Sequence, residues 1–256
     1  MSSEPPIVAP GALPPGTAPQ PLFYARPSPL DATRHVGKRL KRTAGFAFAA
    51  RTNSVVLTAA EFASALRFYP IVFTAQDPAM PIALLGVSNE SNLFVNAAGA
   101  WRAQTYVPAY VRRYPFAFIE SADHKSFTLC IDEASSFVTD GDNGEPFFVA
   151  GKPSPATEQA LRFCTEFQSL FQATRAFTDA LVQEKLLIER QADFRSPAGQ
   201  QASLSGFRIV DEQKFAALPD ATFLDWRKRG YVHLVHAHLF SLANLTDLFE
   251  RSIRPA

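Results

Sequence analysis

A change of hydrophobic period near the middle of the chain constrains its fold more than any other feature. Between Phe46 and Asp132 apolar residues come in short runs separated by turn residues, the pattern of strands. The runs are Phe46–Ala49, Val55–Leu57, Ile71–Phe73, Ile82–Leu85, Leu93–Val95, Phe116–Ile119 and Phe127–Ile131. Most connections between them are too short for helical crossovers, which favours antiparallel pairing. Thr58-Ala-Ala-Glu61 has the form of a capping box and opens a helical segment to about Arg67, stopped by Pro70. Asn143-Gly144, between Phe137-Val138 and Phe147-Phe148, reads as a hairpin turn. From Pro155 to about Ile188 the period becomes helical, with Leu161, Cys164, Phe167, Phe171, Phe177, Leu181 and Leu186 recurring on one stripe. After a loop around Ser196–Gly199, Phe207–Val210 reads as a strand, and short helices begin near Glu212 and Asp220, the second closing at Gly230. A last amphipathic helix covers about Leu234–Ser252. Strands first and helices later predict an α+β fold: a largely antiparallel sheet in the N-terminal half followed by a helical C-terminal half.

Nine of the 20 prolines fall within residues 1–30. Proline holds φ near its extended value and removes a backbone donor, so this stretch forms neither a helix nor a central strand. The expectation is a disordered proline-rich arm over 1–30 and a single globular domain over 31–256, sheet-rich over about 46–150 and helix-rich over about 155–252. Its ordered part starts near Phe46, or near Phe23 if the arm packs down.

Charge excludes some functions. The 25 Lys+Arg against 24 Asp+Glu leave no basic excess of the kind that neutralises a phosphate backbone, so no nucleic-acid partner is expected. The one basic run, Lys38-Arg39-Leu40-Lys41-Arg42, reads as a solvated boundary segment rather than a phosphate or lipid-headgroup patch. The first residues lack the charged and apolar regions of a signal peptide, and no apolar stretch approaches the roughly 20 residues needed to cross a bilayer. Cys130 and Cys164 lie in apolar contexts and read as free buried thiols in a reducing compartment. The expectation is a soluble, cytoplasmic protein with no membrane span.

Two constellations deserve chemical weighing. His233-x-x-His236-x-His238 resembles a ligand cluster, but neither helical nor strand geometry aims all three rings at one point. His238 falls in register with the leucines of the last helix, so it reads as a core histidine satisfied locally, with Ser241 one turn on as its partner. No metal and no cofactor are expected. The second is Tyr110-Val-Arg112-Arg113-Tyr114-Pro-Phe116, with Trp101, Tyr106 and Pro108 close in sequence. Adjacent arginines beside a strand start clamp a carboxylate or phosphate, and the aromatics wall a pocket. The competing reading is structural: an arginine paired with an internal carboxylate such as Glu61 or Asp132. Phosphate-loop, dinucleotide and nucleophile-elbow motifs are missing from the sequence. Asp140-Gly-Asp142-Asn-Gly144-Glu145 imitates a calcium loop with its glycine one position early and no distal glutamate, so a hairpin tip accounts for it better.

Glu61-Phe62, Tyr69-Pro-Ile-Val-Phe73, Gly86, Asn92-Leu-Phe94, Gly99-x-Trp101, Tyr106-x-Pro108, Arg112-Arg-Tyr-Pro-Phe116, Asp132, Gly206 and His238-Leu-x-Ser241 together resemble the pattern of bacterial SapC-family proteins, over about residues 23–250. The resemblance implies an accessory role beside modification or uptake proteins, among them tryptophan halogenase-like proteins. It carries no catalytic residues. The reading is therefore a non-catalytic binding or accessory protein for a small molecule or peptide, with Arg112, Arg113, Tyr114, Trp101, Glu61 and Tyr69 as candidate ligand-binding residues and His238, Ser241 and Asp132 as secondary ones. One alternative is an enzyme of unknown reaction, a metal-dependent oxygenase partner using His238, Glu61 and Asp132. A second is a structural surface-layer component.

Overall fold

The computed structural model describes residues 21–41, 45–120, 126–196 and 199–253. Most of the predicted arm (1–20), Arg42 of the basic run and 197–198 of the predicted loop lie outside the described residues. In chain order, strands β1 (Pro27–Pro29), β2 (Arg39–Leu40) and β3 (Ser54–Val56) precede a 3-10 turn (Ala59–Glu61) that runs into helix α1 (Phe62–Ala65). Then come β4 (Ile71–Thr74), β5 (Pro81–Leu84), the short helix α2 (Ala109–Arg112), β6 (Phe116–Glu120) and β7 (Phe127–Asp132). The short strands β8 (Val138–Thr139), β9 (Glu145–Pro146), β10 (Phe148–Val149) and β11 (Lys152–Pro153) lead to the long helix α3 (Pro155–Gln183). The strands β12 (Leu187–Arg195) and β13 (Gln201–Val210) precede α4 (Glu212–Ala216), α5 (Asp220–Arg229), α6 (Tyr231–Ser241) and α7 (Asn244–Ile253). Antiparallel sheets lie mostly in the N-terminal half and helices in the C-terminal half, so the fold is α+β.

The described residues gather into two compact units that do not follow chain order. One holds Ala47–Ala109 and the described chain from Leu170 onward; the other holds the described part of 21–46 and of Tyr110–Ser169. In the first, an antiparallel sheet runs in the order β12-β13-β4-β5-β3. Its strands β4 and β5 are buried along their whole length, which is why they read as unbroken apolar runs. Phe177 of α3 anchors the packing, its ring centroid 6.2 Å from Phe62, 6.4 Å from Phe73 and 5.1 Å from Tyr231. In the second unit β7 lies between β1 and β6, and β2 lies between β8 and β9. Phe116, Ile131, Phe147 and Cys164 form its core, with Leu30, Leu40 and Phe118 packed against them. Thus the end of the proline-rich stretch is an edge strand, with Pro27 opposite Asp132 and Pro29 opposite Cys130. An edge tolerates proline because only one side of the strand is bonded.

Several expected elements differ. Phe46–Ala49 contains a 3-10 turn, Ala47–Ala49, not a strand. Leu93–Val95 makes only an isolated bridge from Val95 to Trp101. The asparagines explain it: Asn92 Oδ1 accepts from the Phe94 N–H and Asn96 Oδ1 from those of Ala98 and Ala100, drawing the backbone into turns. Asn143-Gly144 does not close a direct hairpin, because β2 sits between β8 and β9 and pairs with both. The predicted helix to Ile188 ends early: Lys185 takes a positive φ of 55° and Leu187 begins a strand. The last helix is two, α6 and α7, parted at Leu242–Ala243.

Gly86, just past β5, is required by space. A Cβ there would lie 1.9 Å from the Ser91 carbonyl oxygen. Gly86→Ala should therefore force this backbone apart and lower the urea unfolding midpoint well below wild type, by an equivalent of about 2 kcal/mol or more; an unchanged midpoint would contradict the packing.

Candidate functional site

The predicted site residues divide between the units. Glu61, Tyr69, Trp101, His238 and Ser241 belong to the first; Arg112, Arg113, Tyr114 and Asp132 belong to the second.

In the first unit Glu61 is buried and saturated. Its Oε2 accepts from the Thr58 N–H (2.8 Å) and the Thr58 hydroxyl (2.9 Å), closing the predicted capping box. Its Oε1 accepts from the Ala109 N–H (2.7 Å) and the Tyr106 hydroxyl (2.9 Å). A carboxylate with four donors at hand ties loop to helix and offers a ligand little. Tyr69 donates to the Tyr106 carbonyl and packs on Phe94, the ring centroids 4.6 Å apart; burial pushes its hydroxyl up to about 12. Trp101 stacks on Phe94 as well, the ring centroids 6.3 Å apart.

His238 is fully buried in α6 with both ring nitrogens engaged. Its Nδ1 lies 2.7 Å from the Ile71 carbonyl oxygen, and its Nε2 accepts the Val210 N–H at 3.0 Å. This fixes the neutral tautomer with the proton on Nδ1. Strands β4 and β13 pair Thr74 with Phe207 and Phe73 with Arg208, a register that brings Val210 opposite Ile71. Where the direct ladder stops, the imidazole takes the place of the missing hydrogen bonds. Ser241 completes the arrangement: its Oγ accepts the Ile71 N–H at 2.9 Å and donates to the His238 carbonyl at 2.6 Å. Burial pushes the imidazole down from 6.5 to about 4. His233 and His236 are exposed, and among the described residues no group of His, Cys, Asp and Glu is arranged to hold a metal ion.

In the second unit Asp132 plays the same kind of part. Its Oδ1 accepts from the N–H groups of Arg26 (2.8 Å) and Ala134 (3.2 Å), its Oδ2 from the Ala25 N–H (3.2 Å) and the Tyr114 hydroxyl (3.0 Å). The carboxylate thereby fastens the incoming chain to the end of β7. Burial, above all, pushes the Tyr114 hydroxyl up to about 12. The neighbouring Glu133 pairs with Arg34 at 2.7 Å and with Arg26 at 3.4 Å.

The arginines are placed differently. Arg112 ends α2, exposed, with its guanidinium carbon 5.2 Å from the Phe163 ring centroid. Arg113 is half-buried, its guanidinium carbon 4.0 Å from the Tyr110 centroid, 4.8 Å from Phe167 and 5.9 Å from Tyr24. Contacts of this kind contribute about 0.5–2 kcal/mol each, depending on desolvation. Among the described residues no carboxylate pairs with Arg113, and its buried Nε has no protein acceptor. Neither Glu61 nor Asp132 is its partner, since both accept from other donors. Both arginines line a cavity of about 320 Å³, at the small end of ligand pockets. Among the described residues that line it, Lys41 adds a third cation, Glu145 a carboxylate, and Tyr114, Phe137 and Phe163 aromatic wall. Cys164 also lines it, but burial pushes its thiol up to about 11, so it stays protonated near neutral pH.

Lys41, Phe137, Glu145, Gln159 and Phe163 escaped the sequence reading of this cavity. Phe163 alone left a local trace, lying one helical turn before Phe167 at the edge of the apolar stripe of α3. The others arrive from distant elements, and no spacing in the chain links them.

A family model described as SapC matches residues 30–248, so the chain belongs to the SapC family. No curated protein and no solved structure matches it. Among the described residues no helix is long and apolar enough to cross a membrane.

The His238 arrangement sets a pH dependence. The unfolded chain binds a proton at this side chain below about 6.5, whereas the folded chain binds it only near 4. Its contribution is complete above 6.5 and is lost as pH falls towards 4, by roughly 3 kcal/mol over the window. His238→Gln, which does not titrate, should flatten this slope in urea unfolding measured across that range; an identical slope in the variant would contradict the placement.

Proposed function

We propose that this SapC-family chain is a cytoplasmic, non-catalytic binding protein, an accessory to modification or uptake proteins, that holds a small molecule or peptide in the Arg112–Arg113 cavity. Arg113 carries the reading. Its charge is half-buried among aromatic rings, it pairs with no carboxylate among the described residues, and it lines an indentation with two further cations. The groups that an enzymatic reading would use are engaged elsewhere: His238 and Asp132 hold backbone, Glu61 holds backbone and two hydroxyls, and the cavity thiol is protonated. A protein partner such as a tryptophan halogenase-like protein belongs to the same proposal and is supported by the family resemblance alone.

The test is native mass spectrometry of the full chain, freshly purified from cells that also express its neighbouring genes. The wild type should carry a compound or peptide released on denaturation, and Arg112→Ala and Arg113→Ala, each checked to be folded by circular dichroism, should retain less than a tenth as much. A wild type that carries nothing, or variants that retain as much as wild type, would contradict the proposal.

A further inference from the structure

Resting on that reading of the cavity, we infer that its ligand is a carboxylate borne on an aromatic ring. Among the described lining residues the cations Lys41, Arg112 and Arg113 outnumber the carboxylate Glu145. That balance suits an anion. Geometry narrows the class. Tyr110 and Phe167 pack against the Arg113 guanidinium, so a ligand meets this group through its edge. Its Nε is enclosed by protein, so the edge left to a ligand is the one formed by the two terminal nitrogens. Two coplanar oxygens of a carboxylate match the parallel donors of a guanidinium edge. A phosphate presents the same two oxygens but carries others out of that plane, towards apolar wall, where their desolvation is unfavourable.

The rest of the ligand is set by what surrounds the charge. Tyr114, Phe137 and Phe163 line the cavity, and Arg112 already lies over the Phe163 ring at 5.2 Å. A flat apolar body has aromatic faces and edges to pack on there, and a bare acetate has nothing to bury. A cavity of about 320 Å³ accommodates one ring system with a short acidic arm.

Isothermal titration of the full chain with phenylacetate, phenylacetamide, acetate and inorganic phosphate tests the assignment. Phenylacetate should bind saturably, and phenylacetamide, which keeps the ring and loses the charge, at least about tenfold more weakly. Acetate and phosphate should be weaker than phenylacetate by a similar factor. Arg113→Lys keeps the charge and loses the fork, so it should weaken phenylacetate about tenfold while the melting temperature holds. Equal binding of acid and amide would overturn the inference by showing an apolar pocket, and phosphate binding as tightly as phenylacetate would overturn it by showing a simple anion site. Unaltered affinity in Arg113→Lys would equally overturn it. Should a compound co-purify in an arginine-dependent way while phenylacetate fails to bind, the ligand class falls and the cavity reading stands; should neither occur, both fall.

Discussion

The first unit depends on one imidazole. Strands β4 and β13 pair over a short stretch and then part, leaving the Ile71 carbonyl and the Val210 N–H without ladder partners in the buried core. Such groups need partners, because a buried backbone polar group without one costs about as much as a lost hydrogen bond. His238 supplies a donor and an acceptor at once, which only the neutral ring does, and so fastens α6 to both strands. Ser241 satisfies the Ile71 N–H from the next turn. The burial that makes this arrangement valuable also keeps the ring uncharged.

The same logic recurs at Glu61 and Asp132. Each is a buried carboxylate surrounded by backbone N–H and tyrosine hydroxyl donors, and each fastens a segment that has no regular ladder to hold it. Residues of these types attract attention as acids, bases or ligands. Here their lone pairs are committed to the chain itself. Arg113 is the exception, a half-buried charge whose near neighbours are aromatic rings and whose Nε has no protein acceptor. Under the proposed function, chemistry directed outward concentrates at the arginine cavity.

Much of the fold was legible because period and packing agree. The β4 and β5 runs, the capping box at Thr58–Glu61 and the stripe of α3 each follow from local pattern. The buried histidine was legible too, from its register with leucines, but its ring is held by distant backbone groups of Ile71 and Val210, and the expected local partner Ser241 bonds only its carbonyl. What escaped is non-local or locally contradicted. The strand Leu187–Arg195 is polar along most of its length and follows directly on a helical stripe, so the helical period runs on to about Ile188 and nothing local marks the rest as a strand. The exchange of chain between units, with Tyr110–Ser169 joined to the N-terminal segment, has no signature in any window of sequence. The arginine pair could be picked out by composition, but Lys41 and Phe163 join it only through the fold.

The claim that binds these points together is that the buried ionisable groups serve the backbone and leave recognition to the arginines. Its most direct test is the protonation and tautomer of His238, read from the ring nitrogen shifts in a long-range proton–nitrogen NMR correlation of the labelled protein. The structure predicts a neutral ring with its proton on Nδ1 and no titration as pH is lowered from 8 to about 5. A ring that titrates near 6.5, or that carries its proton on Nε2, would contradict it.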